Sequence, residues 1–398
     1  MVRIRGWKAA LTCAPPLSLP DTRHAPSPLG GCGLPRLTTQ APAGYSPGQL
    51  RAYLRLRGDG AGQTVAVVDA FDNPYAARDL AIFSRQFGLP LPCGQAVRAR
   101  CFHFTVARPF GFAGVDPGWA LESDLDIEMA HAIAPKAAIT LVEAHDSLLS
   151  SLGAAIGYAA SRRPAPAAIS NSWGAPEFPG ERTGDRRCAL ARSLCVFATG
   201  DAGNPGAYPA YDPYALAVGG TTLALSPAGR VRFEAGWCCS PWPGAAGSGG
   251  VSQFETRPPY QAQVNPYRGR GIPDVSFDAD PATGVPVHDS FGLGGQNGWF
   301  EVGGTSAGAP AWAGIVAAAD QLRAAAGRAP LAGAKEQAQW LLYSRAPRRG
   351  LADITTGADN VIACTSPVQA CRAHPGYDLV TGWGSPRPGI DAALAAAP

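Results

Sequence analysis

The clearest indication of the fold is TVAVVD, at residues 64–69. Its unbroken apolar run is typical of a strand that is covered on both faces of a parallel sheet. A helical pattern follows over residues 76–87. The alternation continues along the chain, with strands predicted at 138–143, 167–170, 195–199 and 216–219 and a further helix at 147–161. Because apolar strands alternate with helices, we predict an α/β fold with a doubly wound, mostly parallel sheet flanked by helices.

Three polar side chains follow the predicted strands. Asp69, Asn171 and Asp201 lie at or just after the carboxyl end of a strand. Ligands of doubly wound sheets bind beyond those ends. We therefore expect the functional site at this edge of the sheet.

The chain changes character near residue 45. Residues 1–44 are rich in proline, glycine and threonine without periodicity, so we expect a leader or short arm there. A single domain is predicted over residues 45–398, beginning with a short capped helix near Ser46. Within it, the stretches 241–250 and 280–297 are rich in glycine and proline and are predicted to be long surface loops.

The overall composition excludes several classes of protein. Hydrophobic residues make up 46% of the 398, enough for a packed core, which excludes a disordered chain. The formal net charge of +3 is too small to indicate a nucleic-acid partner. No apolar run approaches the ~18 residues that a membrane-spanning helix needs, so we expect no insertion into a membrane.

Ten cysteines occur, several of them in closely spaced pairs. None has the C-x-x-C spacing and no histidine cluster accompanies them, so zinc is not expected. Local disulfides in an oxidising compartment fit the spacing better, and buried free thiols are the alternative. The predicted pairs are Cys93–Cys101, Cys188–Cys195 and Cys364–Cys371. Adjacent cysteines rarely bond to each other, so Cys238 and Cys239 are expected to pair with Cys13 or Cys32, or with nothing.

Disulfides imply export, and we therefore expect a secreted protein. The first ten residues carry Arg3, Arg5 and Lys8, which would suit the basic start of a signal peptide. The apolar stretch after them is short and is interrupted by Pro15 and Pro16, which makes it a poor signal. Either the true start lies upstream or export uses another route.

A compact motif, GGTSAGAP at residues 303–310, leads into a strongly helical stretch. Ser306 is therefore expected at a helix N-terminus, where the dipole and the free amides stabilise negative charge near the hydroxyl. A serine N-cap is the alternative. A nucleophilic serine also needs a base. None of the six histidines lies in a recognisable motif, so a Ser-His-Asp hydrolase is poorly supported.

Two carboxylates occur four residues apart on a second helical stretch. Glu122 and Asp126 lie on one face of it, beside an apolar stripe. Two carboxylates so placed repel each other, so one of them should hold a proton near neutrality. An ordinary solvated acidic face is the alternative, and Asp124, Glu128 and His131 are predicted to form such a face.

These motifs resemble those of the sedolisins, the serine-carboxyl peptidases. The resemblance spans roughly residues 45–398 and keeps the order of the family's motifs. The residues that carry it are Glu122-x-x-x-Asp126, ATGDAG at 198–203, YPA at 208–210, AVGGTT at 217–222, GTSAGAP at 304–310 and PGYDLVTGWG at 375–384. Several motifs in order are far more specific than any one of them.

The resemblance implies a subtilisin-like fold and assigns roles by position. Ser306 matches the nucleophile, and Glu122 matches the general base that takes its proton. Asp126 matches the carboxylate that orients and tunes Glu122. Asp201 matches the aspartic acid of the oxyanion hole, which must be protonated to donate a hydrogen bond. That requirement implies an acidic working range.

Supporting residues and a metal site are also implied. Some members of the family place partners of the catalytic residues near the positions of Asp69 and Trp173. Sedolisins bind one calcium ion near the C-terminus through oxygen atoms, as Ca²⁺ prefers. The matching ligands are the side chains of Asp353 and Asp378 and the carbonyls of Ile354, His374 and Gly376, with His374 standing where the family usually has glycine. Two loop aspartates that cap turns are the alternative.

The resemblance thus predicts a secreted, calcium-bound monomer that hydrolyses protein or peptide substrates at acidic pH, with endopeptidase and tripeptidyl-peptidase activity both open. A glycoside hydrolase that uses Glu122 and Asp126 is less well supported, because carboxylates four apart on one helix do not flank a sugar. A catalytically silent, calcium-stabilised binding module is the non-enzymatic alternative. The family usually has a long propeptide. With 44 residues before the predicted domain, we expect a truncated gene model or a minimal leader.

Overall fold

The computed structural model describes residues 36–37, 42–94, 101–239, 245–332, 339, 342–343, 350–359 and 371–397. Helices in these ranges are α1 Pro47–Leu54, α2 Ala76–Phe87, α3 Pro117–Ile133, α4 Leu149–Ser161, α5 Arg186–Leu190, α6 Thr305–Ala325 and α7 Ile390–Ala396, with short 3-10 helices at Glu181–Thr183 and Pro259–Gln261. The strands are β1 Arg36–Leu37, β2 Thr64–Ala70, β3 Leu91–Pro92, β4 Cys101–Phe102, β5 Phe104–Ala107, β6 Ala138–Ala144, β7 Ala168–Asn171, β8 Leu194–Ala198, β9 Ala215–Leu225, β10 Val231–Gly236, β11 Gly250–Thr256, β12 Gly269–Ile272, β13 Val275–Asp278, β14 Val285–Leu293, β15 Gln296–Val302, β16 Leu351–Ala352 and β17 Ser385–Pro386. Across the described ranges, no helix combines the length and the apolar character needed to cross a bilayer.

A central sheet of mostly parallel strands forms the frame of the protein. Its order is β10-β9-β8-β7-β2-β6-β5, with β13 paired to β9. Strand β2 lies in the middle, where Val65 pairs with Ala168 of β7 and with Ile139 of β6. Within the described sheet only β10, at one edge, runs antiparallel to its neighbour. The predicted doubly wound α/β fold is confirmed.

Alternate residues of β2 point to opposite faces of the sheet and enter two separate cores. Val65 and Val67 belong to the larger core, which includes apolar side chains of α3 and α6. Ala66 and Val68 belong to the smaller core, which includes side chains of α4. Because helices cover both faces, the apolar run of β2 is continuous rather than alternating.

The predicted surface loop at residues 280–297 is wrong, because β14 and β15 form an antiparallel hairpin there. Val287 of β14 and Phe300 of β15 are buried in the larger core. The glycines that indicated a loop lie in the turn between the strands, where Gly294 and Gly295 have φ angles of +64° and +80°. A two-residue hairpin turn with positive φ at both positions favours glycine, so the composition marked the turn and not a longer loop.

Two other predicted segments are partly described. In the predicted stretch 241–250, residues 245–250 are buried, so a surface loop is wrong for that part, and residues 241–244 lie outside the described ranges. In the predicted arm, residues 36–37 form β1 and pair with β15. Residues 1–35 and 38–41 lie outside the described ranges.

Helix α3 is enclosed by protein, because it packs against α6, α2, β14 and the central sheet. Residues 119–133 of this helix are all buried. The predicted solvated face of Asp124, Glu128 and His131 is therefore wrong. His131 stacks on the ring of Phe102, with centroids 4.0 Å apart, and burial lowers the pKa of His131 to about 3, so the imidazole is neutral.

Disulfides occur at two of the predicted pairs, Cys93–Cys101 and Cys188–Cys195. Cys371 is disulfide-bonded, and its predicted partner Cys364 lies outside the described residues, as do Cys13 and Cys32. The expectation for the adjacent cysteines is wrong, because Cys238 and Cys239 are bonded to each other. A left-handed backbone at Cys239, with φ of +68°, accompanies this bond.

Candidate active site

Two helices carry the residues that are predicted to be catalytic. Helix α3 begins after Asp116, whose carboxylate accepts hydrogen bonds from two amides of the first turn and so caps the helix. Helix α6 begins at Thr305, and its N-cap residue Gly304 provides no side-chain cap. Ser306 therefore lies in the first turn without capping the helix, so the N-cap alternative is wrong. The residue is buried, with only 2% of its surface exposed.

Glu122 of α3 faces Ser306 and is fully buried. Burial raises the pKa of Glu122 well above its usual range, and the carboxylates of Asp69 and Asp201 raise it further. The nearby Ser306 hydroxyl acts in the opposite direction and lowers the pKa of Glu122. Among the described residues, neither carboxylate oxygen of Glu122 has a hydrogen bond of normal length and angle. The contact with Ser306 is thus not fully formed, as is common before substrate binds.

A third carboxyl group joins Glu122 and Asp126 in this buried site. Asp69, near the carboxyl end of β2, is fully buried, and its negative charge raises the pKa of both other groups. Burial raises the pKa of Asp69 itself to about 7, against the lowering influence of the nearby Ser123 side chain. Ionising all three buried carboxyl groups at once would cost too much free energy, so protons are shared among them.

Asp126 is held by a serine that follows β7. The hydroxyl of Ser172 donates to Oδ1 of Asp126 at 2.8 Å, and its oxygen lies 3.3 Å from the backbone carbonyl of Ser306. Burial raises the pKa of Asp126 well above its usual range, and the charges of Asp69 and Glu122 add to this. Ser172 thus connects the end of β7 to both α3 and α6.

Asp201 lies beyond the end of β8 and contacts the start of α6. The amide and the hydroxyl of Thr305 both donate to Oδ1 of Asp201, at 2.8 and 2.9 Å. Gly304 has a φ of +106°, and a Cβ at that position would lie 2.6 Å from Oδ2 of Asp201. Only glycine meets both requirements. Burial raises the pKa of Asp201 above its usual range, while the two hydrogen bonds from Thr305 lower it.

Trp173 lies beside the site, and its indole is hydrogen-bonded to the backbone rather than to the carboxyl groups. Its indole Nε1 donates to the carbonyl of Val68 at 2.8 Å, and its ring packs edge-on against Phe197 at 5.3 Å. The indole thus ties the segment after β7 to β2, directly before Asp69. This position agrees with a supporting role and adds no group to the chemistry.

The geometry brings the four residues predicted to be catalytic to one edge of the sheet, where α3 and α6 meet. A family profile described as the subtilase family matches residues 118–383, which include all four. The chain belongs to the subtilase family. Among the relatives of this subtilase is kumamolisin from Bacillus sp. (strain MN-32), 32% identical over 377 residues, which are 88% of this chain and 63% of kumamolisin.

Two further matches are a solved bacterial structure and a fungal relative. The structure of a Pseudomonas sedolisin, a serine-carboxyl proteinase in complex with pseudo-iodotyrostatin, aligns with a TM-score of 0.72 at 24% identity and covers 89% of this chain and 98% of that one. The tripeptidyl-peptidase SED3 of Arthroderma otae is 29% identical over 269 residues, 56% of this chain and 40% of that protein. Together with kumamolisin, these matches confirm the predicted sedolisin family within the subtilases. The chain spans less than two thirds of the length of kumamolisin and SED3.

The predicted calcium ligands of this sedolisin lie around one loop. Oδ2 of Asp353 accepts a hydrogen bond from the amide of Gly376 at 2.8 Å. Oδ2 of Asp378 accepts one from the amide of His374 at 3.0 Å. Gly376 has a φ of +87°, a left-handed conformation that glycine adopts readily. The two carboxylates are therefore on either side of a loop whose carbonyls supply further oxygen atoms.

The donor set suits a hard cation. Oδ1 of Asp378 accepts from the amides of Val380 and Thr381, which is the turn-capping role of the alternative. The carbonyl of Ile354 is reached by the Thr381 hydroxyl at 3.4 Å, which brings the segment of Asp353 close to Asp378. Burial raises the pKa of Asp378 to about 6. Oδ2 of Asp353 and Oδ2 of Asp378 each accept one amide hydrogen bond and retain a lone pair, so capping a turn and binding Ca²⁺ are compatible.

Two residues of the site were not identified from the sequence. Ser172 follows Asn171, which was noted only as the polar residue after a strand. Thr305 directly precedes Ser306 within the quoted motif. The available signal was their position, since each is a hydroxyl residue one place from a residue that had been singled out. Nothing in the sequence alone indicates that Asp126 and Asp201 are their partners.

Proposed function

We propose that this chain is a serine-carboxyl peptidase that hydrolyses peptide bonds in protein or peptide substrates at acidic pH, through an acyl-enzyme on Ser306. The observation that carries the proposal is the position of the buried Ser306 hydroxyl, in the first turn of α6, next to the buried carboxylate of Glu122 on α3. No histidine among the described residues contacts either group. The base available to this serine is therefore a carboxylate.

Acylation starts when Glu122 accepts the proton of the Ser306 hydroxyl while Oγ attacks the carbonyl carbon of the peptide. The carbonyl oxygen becomes an oxyanion, to which protonated Asp201 donates a hydrogen bond. As the intermediate collapses, the C–N bond breaks and the protonated Glu122 gives its proton to the leaving amine. An ester between the substrate acyl group and Oγ of Ser306 remains.

Deacylation repeats these roles with water. Glu122 takes a proton from the attacking water, a second oxyanion forms next to Asp201, and the ester bond breaks. The proton on Glu122 then returns to Oγ of Ser306, so the enzyme is regenerated and one water has been consumed.

Oδ2 of Asp201 is the oxygen that suits the donor role. Oδ1 already accepts two hydrogen bonds from Thr305, which favours placing the proton on the other oxygen. Burial keeps that proton to a higher pH than for an ordinary aspartate. Asp69 and Asp126 share protons with Glu122, so the three groups together place less negative charge near Asp201. This sharing is compatible with a working range on the acid side.

Three accompanying features belong to the same proposal. The disulfides support a secreted protein. The oxygen donors around Asp353 and Asp378 support one structural calcium ion, bound also by the carbonyls of Ile354, His374 and Gly376, and this ion would stabilise the loop rather than take part in the chemistry. We further propose a monomer. Endopeptidase and tripeptidyl-peptidase activity both remain within the proposal.

The decisive experiment is a casein digest at acid pH with wild type, Ser306→Ala and Ser161→Ala. Ser161, an exposed serine at the end of α4, is the matched control and should retain wild-type activity. Loss of Oγ of Ser306 should reduce the rate by about 10³-fold or more, with an unchanged circular dichroism spectrum. Residual activity of Ser306→Ala within tenfold of wild type would exclude the acyl-enzyme.

A further inference from the structure

A second group of buried acidic side chains lies apart from the proposed catalytic residues. It consists of Asp79 on α2, Asp124 and Glu128 on α3 and Asp289 on β14, and we call it the second acidic cluster. All four residues are fully buried. None of them has a role in the proposed peptidase mechanism, although Asp124 and Glu128 belong to the same helix as Glu122.

Neighbouring donors fix the orientation of these carboxylates. Asp79 accepts hydrogen bonds from the amide and hydroxyl of Ser290. Asp289 accepts from the amides of residues 291 and 292. Oδ1 of Asp124 accepts from the side-chain amide of Asn73 at 2.9 Å. The backbone of β14 and the loop after β2 thus position the second acidic cluster from two sides.

Two oxygen atoms of the cluster have no partner among the described residues. They are Oδ2 of Asp124 and Oε1 of Glu128, both fully buried. The other oxygen of Glu128 accepts from the amide of His288, the residue before Asp289, which places Glu128 next to the rest of the cluster. A buried carboxylate oxygen without a partner is costly unless a proton or a cation satisfies it.

The positive charge around the cluster is too small to balance it. His288 is the one ion-pair partner of the cluster in the described part of the chain, with Nδ1 3.0 Å from Asp79. The nearby Arg108 is engaged elsewhere, since its guanidinium contacts Glu143 at 2.7 Å and Asp72 at 3.4 Å. Four ionised carboxylates would exceed one imidazolium by three charges.

The spacing of the carboxylates suits a single ion. One oxygen from each of Asp79, Asp124 and Asp289 lies within 4.8 Å of the others. Two ligands of Ca²⁺ at about 2.4 Å from the ion are at most about 4.8 Å apart. We propose that Asp79, Asp124 and Asp289, with Glu128 beside them, bind a hard divalent cation of the Ca²⁺ type through the three aspartates, at a site separate from the predicted calcium loop of Asp353 and Asp378.

Such an ion would join three elements around the catalytic helix. Its ligands come from α2, α3 and β14, so it would hold α3 in place from the side opposite Ser306. Protons are the competing way to neutralise the cluster, because burial and mutual repulsion raise the pKa of Asp124 and Glu128 well above the usual range. Metal content separates these two possibilities.

The test measures bound calcium in the full chain and two variants. Each protein is saturated with Ca²⁺ at pH 7, dialysed against metal-free buffer and analysed by inductively coupled plasma mass spectrometry. Asp353→Asn removes the charge of the predicted calcium loop, and Asp289→Asn removes one charge from the second acidic cluster while it keeps an oxygen for the amides of residues 291 and 292. We expect Asp353→Asn to retain about one ion per chain and Asp289→Asn to lose one relative to wild type.

A second readout does not depend on the stability of the Asp289 variant. The ring of Trp299 lies 5.0 Å from that of His288, so Tb³⁺ bound to the cluster should emit when tryptophan is excited. This emission should persist in Asp353→Asn. A chain in which Asp353→Asn abolishes both the bound calcium and the Tb³⁺ emission would overturn the proposal, as would a wild type that binds no ion.

Discussion

Thr305 donates two hydrogen bonds to the same oxygen of Asp201, one from its amide at 2.8 Å and one from its hydroxyl at 2.9 Å. Thr305 is the first residue of α6, and Ser306 follows it directly. The proposed oxyanion donor and the proposed nucleophile are thus fixed to the same helical turn. Displacing one would displace the other.

Substitution of Thr305 should move the alkaline side of the activity profile. The hydroxyl of Thr305 stabilises the ionised form of Asp201 and lowers its pKa, so Thr305→Val should raise that pKa. Because protonated Asp201 is the active form, activity should persist to higher pH, with a maximum reduced by no more than about tenfold. A pH–rate profile checks this shift. Thr305→Ser keeps the hydroxyl and is the control. An alkaline limb that moves to lower pH in Thr305→Val would contradict the assignment.

Replacement of Asp201 itself should remove the alkaline limb. In the wild type, activity should fall as pH rises through the pKa of Asp201, which burial raises, because the ionised carboxylate no longer donates to the oxyanion. Asp201→Asn keeps a neutral donor that does not titrate. We expect a maximum lowered by about 10²-fold and a flatter alkaline side, measured as initial rates of peptide cleavage from acid to neutral pH. A wild type with an optimum near pH 8 would contradict the carboxylate mechanism.

Asp69 should make the folded protein less stable as pH rises. The folded carboxyl holds its proton up to a pKa of about 7, whereas an ordinary aspartate releases it near 3.8. The folded state therefore binds more protons between these values, and the free energy of unfolding falls as pH rises through this window. Asp69→Asn should flatten the decline of the unfolding temperature between pH 4 and pH 7 and keep activity at pH 4 within about tenfold of wild type.

A matched control for this measurement is Asp146→Asn, at a partly exposed aspartate before α4. It makes the same chemical change outside the buried carboxyl groups, so the flattening expected for Asp69→Asn should be absent from it. Parallel unfolding curves for Asp69→Asn and wild type would show that Asp69 does not retain its proton.

Calcium removal should destabilise the wild type more than it destabilises the Asp353→Asn variant. An ion that binds only the folded state adds about 2.7 kcal/mol when present at 100 times its dissociation constant, so chelation should lower the unfolding temperature by a few degrees. Asn at position 353 still offers an oxygen to the amide of Gly376 but lacks the charge. Differential scanning calorimetry with and without chelator checks this, and an equal response of both proteins would argue against calcium at this loop.

Much of the fold could be predicted because its strands carry the signal locally. The run at 65–68 is apolar without interruption, since both faces of β2 are covered, and the same holds for residues 194–198 of β8. The predicted helix at 76–87 has the observed bounds of α2, which has a buried and an exposed face. Ser306, Glu122 and Asp201 could be predicted as site residues because their motifs occur in the order of a known family.

Features that depend on contacts between distant segments could not be predicted. The burial of Asp124 and Glu128 depends on α2 and β14, which pack over the outer side of α3. The partners of Asp126 and Asp201 come from the segment after β7 and from α6, more than 40 residues away in the chain. The bond between Cys238 and Cys239 occurs with a left-handed backbone at Cys239, which residue type alone does not indicate.

The complete enclosure of α3 has a consequence for how the protein tolerates change. A surface helix such as α2 alternates sensitive and tolerant positions with the helical repeat, because Arg78 and Arg85 face solvent. Residues 119–133 include no solvent-exposed, tolerant positions, since every side of the helix is in contact with protein. In a saturation mutagenesis scan, substitutions should therefore be poorly tolerated at consecutive positions over about four turns of α3. Polar and apolar positions should be equally sensitive to substitution.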